Sequence, residues 1–333
     1  MALDLTQLQA ATDDMWLNTD PLDIKFTDNV LLYMLLRKAA KADFEEFFVK
    51  ASDTVDGGKK IKIPLEYDDA HSGSYGQTTV IPQSKKDIIN AALFGWGGVY
   101  ASNSLGLDDQ VQNSGSEAIV NLAYQYTQNI LKTAWNKLGE AIFVRTASDN
   151  YAIKALITDL FNTTGSTAYG GIAEDDMALW KANVNTDGAA IEFEFLQKLW
   201  RTPAIGQNRN KMPNLGITTD VLKDAFERSL QTQQQFSDRK MVEAGFDNVL
   251  HKGAPIVSDN YLSTNYTGYF LALNTNYLHL KAHKDYNFTT PEWIAKKEGG
   301  QPDNIYANTR FIGQLVCTNR KAHVLATGVA EPS

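Results

Sequence analysis

Apolar positions change their period several times along this chain, and each change marks a predicted element. Leu31, Leu32, Met34, Leu35 and Leu36, followed by Phe44, Phe47 and Phe48, recur at mixed helical spacing and predict a short helix at the end of an N-terminal arm. From Thr54 to Ser84 the pattern becomes alternation. Lys60-Ile61-Lys62-Ile63-Pro64-Leu65-Glu66-Tyr67 has a period of two, His71 to Gly76 supplies turn residues, and Thr78-Thr79-Val80-Ile81-Pro82 reads as a returning strand. The prediction is a long hairpin. Pro64 and Pro82 suit strand edges outside a continuous sheet, and few large apolar residues are available to bury the segment. A two-stranded ribbon is marginally stable alone and needs another surface to lie on.

A helical period follows. Ile119, Leu122, Tyr126, Ile130, Leu138 and Ile142 share one face, and Ser114 with Glu117 fits a capping box ahead of it. A helix from Gly115 to Ile142 would be roughly 40 Å long at 1.5 Å per residue, enough to cross a domain. Shorter helices are predicted over Ile153–Phe161 and Ile191–Trp200, and one that Thr218 or Thr219 caps runs through Leu230. Strands are predicted at Leu215–Ile217, Pro255–Val257, Tyr269–Leu273, Tyr277–Leu280, Arg310–Thr318 and Ala322–Thr327. The polar stretch from Pro203 to Pro213 marks a domain boundary. Helices and strands interleave without regular βαβ alternation, so the fold class is α+β.

Composition narrows the function more than it narrows the fold. At 333 residues and 43% hydrophobic content the chain can bury more than one core. A net charge of -8 disfavours a protein that wraps nucleic acid directly, because phosphate binding needs clustered Lys and Arg. It leaves room for a container whose wall faces nucleic acid without gripping it. The start, Met1-Ala2-Leu3-Asp4-Leu5, lacks the basic and apolar run of a signal peptide, and the expectation is a protein made in the cytosol with no membrane partner. The single cysteine, Cys317, follows Leu315 and Val316 and reads as a buried strand thiol.

No phosphate loop, nucleophile elbow or paired-histidine zinc motif occurs, and Gly95-Trp96-Gly97-Gly98 fails the dinucleotide fingerprint because Tyr100 stands at the third glycine. His279 and His283 are spaced for metal chelation on a helix, but Tyr277–Leu280 reads as a strand, which separates them. Asp68 with Asp69, and Asp175 with Asp176, are better read as solvated turn or helix-start residues than as an acid and base pair. Lys85 and Lys86 pair with Asp68 and Asp69, or with a neighbouring subunit, or form a solvated cluster. The expectation is no enzyme activity and no cofactor.

The order of these features resembles the major capsid proteins of tailed bacteriophages, whose shared architecture is the Hong Kong ninety-seven fold. Tyr169-Gly170-Gly171-Ile172 followed by Trp180 is similar to a segment of that family's peripheral domain. Lys252 to Asp259 and Tyr269 to Asn274 resemble its axial-domain strands, and Gly313-Gln314-Leu315-Val316-Cys317 resembles its late strand. Mapped in this way, residues 1–53 would be the N-terminal arm and 54–100 the extended hairpin loop. Residues 101–202 with 304–324 would form the peripheral domain with its spine helix, and 203–303 with 325–333 the axial domain.

The resemblance implies a structural coat protein that builds hexamers and pentamers of an icosahedral head around double-stranded DNA, assembled in the bacterial cytoplasm. It implies a separate scaffolding protein, because no long charged helical region precedes the arm, together with a portal protein and room for a decoration protein. Glu66, Tyr67, Asp68, Asp69, Tyr75, Lys85 and Lys86 on the hairpin are the candidate subunit-interface residues. Covalent welding through a hairpin lysine is not carried over: Lys59, Lys60 and Lys62 lie in the right segment, but no partner asparagine can be matched. A cellular encapsulin shares the fold and is the nearest alternative. A two-domain cytosolic enzyme without a recognisable motif is the alternative from another class.

Overall fold

The computed structural model describes residues 29–40, 45–49, 53–66, 68–77, 80–106, 122–145, 151–164, 168–175, 177, 180–203, 212–230, 248–288, 293–295 and 304–332. Its first elements are α1 (Val30–Leu35), β1 (Leu36–Ala40), β2 (Glu45–Val49), β3 (Thr54–Val55), β4 (Ile61–Glu66), β5 (Ile89–Phe94) and β6 (Gly97–Leu105). The middle of the chain holds α2 (Leu122–Phe143), a π-turn (Leu156–Leu160), β7 (Asn183–Asn185), α3 (Phe193–Arg201), β8 (Leu215–Thr218) and α4 (Asp220–Leu230). Then come β9 (Asn248–His251), β10 (Ala254–Ser258), α5 (Asn260–Asn265), β11 (Phe270–Leu273), β12 (Leu278–Asn287), β13 (Ile294–Ala295), β14 (Ile305–Cys317) and β15 (Val324–Ala326). Two compact units result: Met1–Val55 with Gly98–Glu140 and Ala282–Gly313, and Asp56–Gly97 with Ala141–Lys281 and Gln314–Ser333.

In the first unit, Asn29 starts α1. Its Oδ1 accepts the Leu32 N–H at 2.8 Å, satisfying one of the free donors of the first turn, while its Nδ2 donates to the Gly139 carbonyl at 3.3 Å. A Cβ on Gly139 would sit 3.1 Å from that amide, a tight contact that glycine avoids. On α2, Ile130, Ala134 and Leu138 are spaced by four residues and buried, as an amphipathic helix requires. Trp135 meets the Phe288 ring edge-on at 6.4 Å, and Phe288 stacks on Phe311 of β14 at 4.9 Å. The sheet of this unit runs β13-β14-β12-β3, with β6 also paired to β14.

The second unit is organised by a six-stranded sheet in the order β7-β15-β11-β8-β10-β9. β8 is parallel to β10 and antiparallel to β11, and its burial on both faces explains why Leu215 to Thr218 are buried without alternation. Phe195, Leu196, Leu199 and Trp200 form the buried stripe of α3, which joins Leu222, Phe226 and Leu230 of α4 over the sheet. Gly216 permits this layer to close: a Cβ there would lie 3.0 Å from Ile256, 3.2 Å from Phe270 and 3.3 Å from Trp200. The Trp200 indole N–H is satisfied by the Pro213 carbonyl at 3.0 Å.

Several predicted elements hold with shifted ends, and others change type. The helix ends at Leu35: Leu36, predicted helical, opens β1, and Phe47 and Phe48 lie on β2, paired to β1. The run Glu45-Glu46-Phe47-Phe48-Val49 is rich in residues that suit a pleated surface, and tertiary pairing settled the ambiguity. Phe44 lies outside the described residues. Val80, Ile81 and Pro82 form no strand, and the returning leg of the hairpin is Ile89–Phe94. Of the long helix, Leu122–Phe143 is observed, and 115–121 lie outside the described residues. The predicted helix at Ile153–Phe161 contracts to one π-turn, because Asp159 accepts the Ala155 N–H at 3.1 Å and draws Arg145 and Lys154 to its carboxylate. His279 and His283 lie on β12, and no group of three potential metal ligands forms among the described residues.

Two buried histidines in the second unit are held neutral. His323 is fully buried; its Nδ1 accepts the Asn274 N–H at 3.1 Å, its Nε2 has no partner, and desolvation pushes its pKa down to about 3. His251 sits against Trp200 at 5.0 Å and Phe193 at 5.2 Å, and burial, with Lys252 adding to it, pushes its pKa down to about 4. As pH falls below the ordinary histidine value, the unfolded chain takes up protons that the folded form refuses until those lower pKa values are reached. Stability present above about pH 6.5 is therefore lost on acidification. Between pH 7 and pH 5 each histidine should remove about 2 kcal/mol of unfolding free energy. Urea denaturation across that range should show the loss, and His323→Asn, which keeps an acceptor for Asn274, should roughly halve it.

Candidate functional site

Among the described residues the hairpin carries several of the most exposed large apolar side chains. β4 and β5 pair antiparallel with Ile61 opposite Phe94, Ile63 opposite Ala92 and Leu65 opposite Asn90 on one face. On the other face Lys62 lies opposite Leu93, Pro64 opposite Ala91 and Glu66 opposite Ile89. Burial on the first face fades along the ribbon: Ile61, Phe94 and Ala92 are buried, Ile63 and Leu65 half-buried, and Asn90 exposed.

The base of the ribbon is clamped to its own unit. The Leu93 N–H donates to the Gly170 carbonyl at 2.7 Å, and the Phe94 ring meets Tyr169 edge-on at 5.1 Å. Gly170 has φ +64, and a Cβ there would lie 2.8 Å from Ala92 and 2.9 Å from the Phe94 ring. The glycine is thus required twice, for its left-handed backbone and for the space that the ribbon fills. Trp96 closes the strand end by donating its indole N–H to the Gly58 carbonyl at 2.7 Å. Gly97 passes close under Ala152, whose carbonyl carbon and oxygen lie 2.9 Å from where a Cβ would stand.

Tyr169 is itself fixed from beneath. Arg320, on a short 3-10 turn at Arg320–Ala322, is 1% exposed. Its guanidinium lies 5.1 Å from the centre of the Tyr169 ring and forms an ion pair with Glu174 at 2.9 Å. It also donates to the Leu160 and Trp180 carbonyls at 3.0 Å each and to Asn162 at 3.2 Å. The Tyr169 hydroxyl accepts the Cys317 N–H at 3.2 Å, and burial pushes the Cys317 thiol up to about 12, so that thiol is inert.

Beyond the ladder the two legs stay joined by polar contacts. Lys86 Nζ pairs with Asp68 at 2.9 Å and donates to the Asp69 carbonyl at 2.8 Å. The Lys86 ammonium on the Asp68 carboxylate, with the Asp69 N–H that donates to it, lowers the Asp68 carboxyl from its ordinary value. His71 Nε2 and Ser84 Oγ approach to 3.3 Å further along. Lys85 does not join this clasp and pairs with Asp87 at 3.0 Å, both exposed. The structure therefore brings together Asp68, Asp69 and Lys86 of the predicted set. Glu66 stands on the outer face, Tyr75 is 79% exposed near the turn, and Tyr67 lies outside the described residues.

Sequence reasoning missed the apolar residues that accompany these groups. Val80 is 88% exposed, Ile81 63% and Ile89 67%, and all three lie on the same ribbon. Their clustering with Tyr75 in a segment of alternating and turn character was the available signal. No helix among the described residues is long and apolar enough to cross a membrane.

No family model matches the chain and no curated protein matches it by sequence. Solved structures do match. The capsid asymmetric unit of cyanophage A-1(L) superposes with a TM-score of 0.62 at 16% identity, covering 83% of this chain and 89% of that one. The capsid of Myoviridae phage XM1 gives 0.54 at 9% identity, covering 95% and 97%. The holo-SrpI encapsulin of Synechococcus elongatus gives 0.60 at 10% identity, covering 99% and 98%. This chain has the tailed-phage major capsid fold. The encapsulin shares that fold, and at these identities the likeness is one of backbone arrangement. Within that fold the hairpin is clamped at its base and exposed beyond it.

Replacing Gly170 with Ala should move the ribbon base or strain it. The expected cost is about 1–3 kcal/mol, as for other overpacked sites, read as a lower urea midpoint. Arg320→Met, which strands Glu174 and three carbonyl oxygens, should cost about 3–5 kcal/mol by the same measurement.

Proposed function

We propose that this chain is the major capsid protein of a tailed phage: a structural subunit that assembles into hexamers and pentamers of an icosahedral head enclosing double-stranded DNA. The observation that carries the reading is the exposed half of the hairpin. Within one subunit Tyr75, Val80, Ile81 and Ile89 keep apolar surface in water. At about 25 cal/mol per Å² such surface gains by contact with another chain.

Glu66, Tyr67, Asp68, Asp69, Tyr75, Lys85 and Lys86 form the polar part of that contact in this reading. The Lys86 clasp keeps the ribbon narrow, so that it reaches a neighbour as one element. Residues 1–53 serve as the arm and 54–100 as the hairpin loop. Residues 101–202 with 304–324 serve as the peripheral domain, and 203–303 with 325–333 as the axial domain. A scaffolding protein, a portal and a decoration protein are the further partners, with DNA enclosed and not read. Assembly takes place in the host cytoplasm and the product is the virion shell. The subunit needs no catalytic group and no cofactor for this role.

The full-length likeness to an encapsulin favours a second reading, a cellular shell that packages an enzyme. Purified particles separate the two: protected double-stranded DNA supports the phage head, and a co-purifying protein cargo supports the compartment. Negative-stain microscopy of the protein, alone and with its scaffold, should show capsomers or closed particles. A monodisperse monomer under both conditions would sink the shell reading. Tyr75→Ser with Val80→Ser and Ile81→Ser should leave the monomer's unfolding midpoint nearly unchanged, because these side chains are solvated, while lowering particle yield several-fold.

A further inference from the structure

We propose that the outer face of the ribbon docks face to face on the same face of a second copy, about a two-fold axis perpendicular to the strands. This rests on the shell reading and specifies which surface the hairpin meets. The face consists of three rungs: Lys62 with Leu93, Pro64 with Ala91, and Glu66 with Ile89. Leu93 is 41% exposed and Ile89 67%, and Lys62, Pro64 and Glu66 are also exposed. The opposite face is committed to Tyr169 and Gly170 at its base, so only this one is free along its length.

The arrangement of the rungs selects the symmetry. β4 carries opposite charges at the two ends and β5 carries a large aliphatic residue at each end, with the small, flat pair Pro64 and Ala91 between them. Two identical faces can be stacked about an axis parallel to the strands. Lys62 then covers the second copy's Leu93, and Glu66 covers its Ile89, which desolvates charge on hydrocarbon at a cost. With the axis perpendicular to the strands, β4 crosses its own copy in reverse. Lys62 then faces the second copy's Glu66, Leu93 faces its Ile89, and Pro64 and Ala91 lie on the axis against themselves. Symmetry makes each favourable pair twice. The two ion pairs stand about 13 Å apart, four residues at the rise of a strand.

The surface involved is small. Two strands about 4.8 Å apart offer a few rungs, well below the roughly 800 Å² per partner of a stable complex. The contact therefore does not hold a free dimer. It acts where other contacts already bring two ribbons together, and its contribution comes through high effective concentration in an assembled shell.

Charge exchange tests the register. Lys62→Glu alone, or Glu66→Lys alone, sets like charges opposite each other at both ends and should lower particle yield several-fold at low salt, with recovery at high salt. The double variant restores both pairs and should assemble like wild type. An equal mixture of the two single variants also sets opposite charges across every mixed contact, and should assemble better than either alone. In wild-type-like particles of Ala91→Cys, a short bis-maleimide should give covalent dimers, since Cys317 is buried and does not compete. Melting curves of the monomers establish that each variant is folded. Particles that form normally from both single variants, a double variant as impaired as the singles, or uncrosslinked Ala91→Cys particles would overturn this docking while leaving the shell reading intact. Failure of wild type to form any particle would overturn both.

Discussion

The contact of Arg320 with Tyr169 underlies the anchoring of the hairpin. A buried guanidinium is expensive unless every donor is satisfied, and here Glu174 and carbonyls from two separate segments satisfy it. That requirement fixes the π-turn, the Tyr169 turn and the stretch leading to Trp180 in one arrangement. Trp180 adds to it by donating its indole N–H to the Tyr169 carbonyl at 3.0 Å. Tyr169 then offers a rigid ring to Phe94, and Gly170 offers a carbonyl to Leu93. The ribbon is thus anchored by a polar core beneath an aromatic floor, and only the residues near that floor are buried.

Anchoring one end of a ribbon and leaving the other bare has a physical consequence. The ladder from Ile61 to Glu66 keeps the two strands in register, and the Lys86 clasp extends their pairing past the last rung. Such an element is stiff enough to present side chains at a fixed spacing, yet its far end gains almost nothing from its own subunit. A protein that works alone would be expected to cover Val80 and Ile81 or replace them with polar residues. In the proposed shell, the same exposure is the means of association. Most of the stabilisation then comes from many modest contacts.

Much of the architecture was legible in the sequence. The shared face of Leu122, Tyr126, Ile130, Leu138 and Ile142 marked the long helix, and the helical period from Ile191 to Trp200 marked α3. Alternation from Ile61 to Glu66 marked the outgoing strand. The return strand was misplaced because Ala91 and Ala92 blunt the alternation of Ile89 to Phe94, whereas Val80 and Ile81 carry β-branched side chains that suit a strand but form none; Thr78 and Thr79 lie outside the described residues. The aromatic pair Phe47 and Phe48 misled in the opposite sense, since short apolar runs fit either period. Cys317 was legible as a buried thiol from its neighbours alone.

What the sequence determined by itself was the class of the fold, the long helix and the outgoing strand of the hairpin, because these follow from local periodicity and turn chemistry. What only the tertiary structure decided was which residues carry the hairpin. Gly170, Tyr169 and Arg320 lie far from it in the chain, and no local pattern shows that one gives space, one a ring and one a satisfied charge. The same holds for the outer face. Lys62 and Leu93 become neighbours only through the register of two strands, and register is a property of the paired backbone, fixed by the packing at the ribbon's base.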